Sequence, residues 1–83
     1  MSNCHKLHEL AQQSAANIRF DDLCSLAECY GWEFKRQRGS HKLYENKRLT
    51  LEQGRMMNFQ NVNGKAKPYQ VRQLLAAIGE LLI

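Results

Sequence analysis

No stretch of this chain is apolar for long enough to cross a membrane. The longest apolar run, Leu74 to Leu82, is too short and is broken by Gly79 and Glu80. The opening Met1-Ser2-Asn3-Cys4-His5 has no apolar signal core, so a cytoplasmic protein with no membrane partner is expected. Low-complexity runs are missing too, and the ordinary apolar share points away from disorder. Cysteine is scarce and odd in number. Cys4, Cys24 and Cys29 follow no framework spacing, and reduced thiols are expected rather than a disulfide. Cys24 and Cys29 stand five apart, which is not a metal-ligand spacing, and Cys4-His5 with His8 sits at a chain end. No metal or cofactor is expected. Eighty-three residues leave room for one small core and no second one.

Acids are the other scarce group, and their scarcity is local. Between Trp32 and Arg72 ten lysines and arginines face three acids, a balance of +7, while the rest of the chain carries −3. Positive charge concentrated in this way favours a polyanionic partner over general solubility, although a solvated face is the plainer reading.

The chain pattern predicts an α+β domain in the order α-α-β-β-β-α, with helices on one side of a three-stranded antiparallel sheet. Lys6 to Ala16 reads as a short, mostly polar helix. A second helix has Asp21 as N-cap, a core face of Phe20, Leu23, Leu26, Ala27 and Tyr30, and Gly31 as its stop. Trp32 to Arg36 alternates as a half-buried strand with Trp32 and Phe34 inward. Gly39-Ser40 turns the chain, and His41 to Glu45 returns. Arg55 to Gln60 is the third strand, with Met57 and Phe59 on one face. Arg48 to Glu52 also alternates, so an extra strand there stays open. Asn61 to Gly64 is turn chemistry. Pro68, the only proline, opens a last helix with Val71, Leu74, Leu75, Ile78 and Leu82 inward and Gln70, Arg72 and Gln73 outward.

Within the basic half, Arg36-Gln37-Arg38-Gly39-Ser40-His41 combines a histidine with cations at a tight turn. Histidine exchanges protons near neutral pH, its unperturbed pKa being about 6.5. A consecutive meander would bring this turn to the same rim as Asn61 to Lys67 and the start of the last helix, whose free N–H groups attract phosphate. Lys65, Lys67 and Arg72 would join there; a full extra strand would separate the two clusters. Strand parity leaves open whether Leu43 or Tyr44 faces the core, and hence where His41 points. The candidate phosphate-binding set is Arg36, Arg38, Gly39, Ser40, Lys42, Lys65, Lys67 and Arg72. Ser40 reads as a turn or phosphate hydrogen-bonding residue rather than a nucleophile. His41 would act on an RNA backbone as acid or base without a metal, with Tyr44 or a lysine as auxiliary. The same residues could equally form a non-catalytic RNA-binding module.

Gly31-Trp32, Arg36-Gln37-Arg38-Gly39-Ser40-His41 and Tyr44 resemble the HicA family of toxin-antitoxin ribonucleases. Gln60 to Arg72 is similar to the segment that one HicA-like branch carries before its last helix. The likeness covers roughly Phe20 to Leu82, making 1–83 a single HicA-like domain with 1–19 as an N-terminal extension and 20–83 as core. The N-terminal helix and the long Glu45 to Met56 connection depart from the shortest members. The resemblance implies a fold like the double-stranded RNA-binding domain, with an α-β-β-β-α core. It also implies sequence-loose mRNA cleavage that halts translation, with His41 as the catalytic residue, and inhibition by a HicB-type antitoxin. The free protein is expected to be a monomer.

Overall fold

A computed structural model describes residues 4–82; the opening Met1-Ser2-Asn3 and the last residue of the expected 1–83 domain lie outside them. The elements run α1 (Cys4–Gln13), a 3-10 turn (Ala15–Asn17), α2 (Phe20–Cys29), β1 (Glu33–Arg38), β2 (His41–Glu45), β3 (Met56–Val62), β4 (Lys65–Ala66) and α3 (Pro68–Leu81). The α+β expectation holds, but the sheet has four strands, in the order β1-β2-β3-β4, and every pairing is antiparallel.

The fourth strand lies just past the stretch read as a turn, in two residues assigned to no element. Asn63 and Gly64 both take positive φ, 54° and 84°, as a two-residue hairpin requires, and Lys65 and Ala66 pair back onto β3. Arg19 bridges to Lys65, and the Ala66 amide donates to the Ile18 carbonyl, so the entry to α2 closes the outer edge of β4. Arg48 to Glu52 forms no strand. Leu49 is buried while Leu51 stands exposed, because Asn46 pins a turn there: its amide donates to the Tyr30 carbonyl and its Oδ1 accepts from the Arg48 N–H. With no strand inserted, the meander is consecutive.

The core lies between one sheet face and the helices. Tyr44, Met57 and Phe59 point inward and meet Leu23, Leu26 and Ala27 of α2 with Val71, Leu74 and Ile78 of α3. Trp32 joins them as expected, its indole donating to the Gly54 carbonyl at 3.0 Å. Phe34 does not. It is half exposed on the edge strand β1, and it meets Tyr44 edge-on. Arg19, not Asp21, occupies the N-cap of α2; Asp21 and Asp22 fall in the first turn, where negative charge suits the helix dipole. Gln70 is buried rather than outward, because its Oε1 accepts the β3 amide of Gln60 at 2.9 Å. Leu82 stands exposed beyond the end of α3.

The cysteines also depart from expectation. Cys4 and Cys29 form a disulfide that ties the start of α1 to the end of α2, and only Cys24 is free, buried in the core. Helix α1 needs that tie, as a ten-residue polar helix with one fully buried side chain, Ala11, has little else to hold it. Closing a loop over 25 residues of separation is worth about 3 kcal/mol of stability. Reduction should therefore lower the unfolding temperature by roughly 10–20 °C, and Cys4→Ser should reproduce the drop without reductant. Identical melting curves with and without reductant would show that the bridge contributes nothing.

Candidate nucleic-acid interface

Burial of Tyr44 resolves the parity left open by the sequence. If Tyr44 faces the helices, then His41 and Leu43 face the opposite, solvent side of β2. On β3 the inward Met57 and Phe59 leave Met56, Asn58 and Gln60 on that same outer face.

Which β1 residues join them depends on one irregularity. Phe34 pairs with Tyr44, yet Arg36 pairs with Leu43, so a bulge at Lys35 shifts the register by one. Beyond it Gln37 pairs with Lys42 and Arg38 with His41. Plain alternation from Phe34 would have put Arg36 and Arg38 on the helix side. The bulge places both arginines on the side of the histidine. The displaced Lys35 reaches Glu45 at 3.4 Å, and Arg55 binds the same carboxylate at 2.8 Å. These two cations hold the Glu45 carboxyl below its usual range, Arg55 contributing most.

Arg36, Arg38, His41, Leu43 and Asn58 line one shallow recess of about 290 Å³ on this outer face. Neither arginine has an ion-pair partner among the described residues, so both are open to an external anion. Gly39, Ser40 and Lys42 line a second recess on the other side of the hairpin tip, with Gln37, Asn61 and Asn63. Gly39 turns the chain at φ 59°, and Gln37 braces the turn by donating to its carbonyl at 3.1 Å. Lys42 lies over the rings of Phe20 and Phe34, at 5.6 and 6.0 Å, and so serves packing as well as charge. Lys65 and Lys67 line a third recess, at the start of α3, where Lys67 lies 5.8 Å from the Tyr69 ring. Arg72 is exposed on α3 and lines none of the three.

The turn and the β3 end do share a rim, for the Asn61 amide donates to the Ser40 carbonyl at 2.8 Å. The lysines do not enter the recess of His41, however. Tyr44 is removed from it altogether. Its hydroxyl points to Glu28 Oε2 at 3.5 Å, and burial, followed by the neighbouring Cys24 and Glu28, pushes its pKa far above the ordinary phenol value. A phenol so placed neither meets His41 nor gives up its proton near neutral pH. Burial likewise pushes the Cys24 thiol up, which leaves it a poor nucleophile. At the chain start, Cys4 is spent in the disulfide, His5 faces Glu9 at 3.3 Å and His8 meets the Tyr30 hydroxyl at 3.3 Å.

Two residues of the recess, Leu43 and Asn58, were not among the expected site residues. Alternation around Met57 and Phe59 signals that Asn58 faces outward, but its place beside Arg36 is a matter of register between strands. Comparison with protein-family models, curated proteins and solved structures finds no match to this chain.

Proposed function

We propose that the chain is a HicA-like endoribonuclease that cuts mRNA at the recess of His41, Arg36 and Arg38. The observation that carries the reading is the meeting of an exposed imidazole with two arginines that have no acidic partner among the described residues. With the two-residue β4 set aside, the remaining order α2, β1, β2, β3, α3, with helices against one sheet face, supports a core like the double-stranded RNA-binding domain. The chemistry runs from the ribose. His41 takes the proton of a 2′-hydroxyl, the freed oxygen attacks the adjacent phosphorus, and the bond to the 5′-oxygen breaks. Arg36 and Arg38 stabilise the charge that grows on the phosphoryl oxygens. With Tyr44 on the other face, the protonated His41 or water returns a proton to the departing oxygen. The ends produced are a 2′,3′-cyclic phosphate and a 5′-hydroxyl.

A HicB-type antitoxin would then hold the monomeric toxin in check in the cytoplasm. The mechanism depends on the 2′-hydroxyl. Purified protein should therefore cut single-stranded RNA and leave an all-deoxy strand of the same sequence whole. Cutting of the deoxy strand would overturn the mechanism, and tight RNA binding without cutting would leave a binding module in its place.

A further inference from the structure

The outer sheet face changes chemistry strand by strand. β1 contributes Arg36 and Arg38, β2 contributes His41 and Leu43, and β3 contributes Asn58 and Gln60. The register aligns Arg36, Leu43 and Asn58 in one row and Arg38, His41 and Gln60 in the next. Neighbouring strands lie about 4.8 Å apart, so the amides stand roughly 10 Å from the arginines. One flank of the histidine offers charge, which holds a phosphate of any nucleotide alike. The other flank is uncharged and offers hydrogen bonds, which distinguish one base from another. Asn58 is exposed, its amide has no hydrogen-bonding partner among the described residues, and the half-buried Leu43 lies beside it in the same recess.

We propose that Asn58, above the apolar floor of Leu43, reads the base next to the phosphate at His41, and that the base it selects is adenine. The position of that phosphate rests on the ribonuclease reading above. A carboxamide presents an acceptor and a donor side by side, and adenine answers it with its N6 amino group and N7. In a single strand the pairing edge, N6 with N1, is free as well, so adenine meets the amide on two edges. Guanine is the usual partner of arginine, but Arg36 and Arg38 are committed to the phosphate. A base on Leu43 also shields the recess from water, which strengthens the hydrogen bonds made there.

The test is a cut-site profile on single-stranded RNA with randomised positions. A good amide–base pair discriminates by roughly 5- to 150-fold, so wild type should cut beside adenine about tenfold more often than beside other bases. Asn58→Ala should flatten the profile to within about twofold, the loss falling on the cuts beside adenine. Asn58 is exposed, so its unfolding temperature should match wild type. A parallel measurement separates this proposal from the catalytic one. His41→Ala protein should bind short oligo(A) more tightly than oligo(C) or oligo(U), and adding Asn58→Ala should erase the difference. That outcome with no cutting by wild type would sink the enzyme and keep the base reading. Equal binding of the three oligomers, or an adenine preference that survives Asn58→Ala, would overturn the base reading whether or not RNA is cut.

Discussion

His41→Ala is expected to lower RNA cleavage by about 10²–10⁴-fold, the usual worth of one well-placed acid–base group. Affinity for uncut RNA should stay within about twofold, since the phosphate contacts come from the arginines. Folding should be unaffected, for His41 is exposed at the strand end and makes no side-chain hydrogen bond among the described residues. The arginines give the opposite pattern. Arg36→Ala or Arg38→Ala should weaken binding across all sequences and reduce the slope of log K against log salt by about one each. Cleavage and binding are thus predicted to separate along the Arg38–His41 pair. A His41→Ala protein that cuts like wild type would refute the catalytic assignment outright.

Gly54→Ala should be among the most damaging substitutions for stability, despite its small size. Gly54 holds φ 106°, a conformation that side chains of L-residues rarely adopt. A Cβ built there would stand 2.7 Å from the Ala77 Cβ on α3 and 2.9 Å from the Met57 methyl. The methionine end can swing aside; the alanine cannot, being fixed to its helix. The same glycine carbonyl receives the Trp32 indole, so any shift also disturbs the largest buried side chain. Backbone strain and overpacking together should cost about 2–4 kcal/mol. In a domain of this size that lowers the unfolding temperature by roughly 10–25 °C. Adding Ala77→Gly opens the space, so the double variant should lose less than the sum of its parts. Strict additivity would show that the Ala77 contact is not the cause.

What was legible in the sequence was what is locally encoded. The bounds of β2 follow from the Gly39-Ser40 turn and the five residues after it, a stretch of seven residues. The start of α3 follows from Pro68 in the same way. Features that depend on two distant segments were hidden. Gln70 reads as a surface residue until the unpaired Gln60 amide is placed beside it. Phe34 reads as core until β1 proves to be an edge. A two-residue strand such as β4 has no period to detect, although Asn63-Gly64 is a strong hairpin signal in its own right. The disulfide needed the ends of two helices to meet, which spacing alone does not disclose. Within the site, His41, Arg36 and Arg38 were named from composition and resemblance. Their shared face was not, because register belongs to a pair of strands and not to either one.

The bulge at Lys35 divides β1 into two stretches that keep different time. Up to Phe34 the strand follows the beat of the core, where Trp32 and the Tyr44 contact decide which residues turn inward. From Arg36 onward it follows the beat of the hairpin, set by the pairing of Arg38 with His41. One spare residue uncouples them. The packing of the domain and the charge of its working face can therefore vary independently along a single six-residue strand. A chain with the same side chains but no spare residue would have to choose between the two.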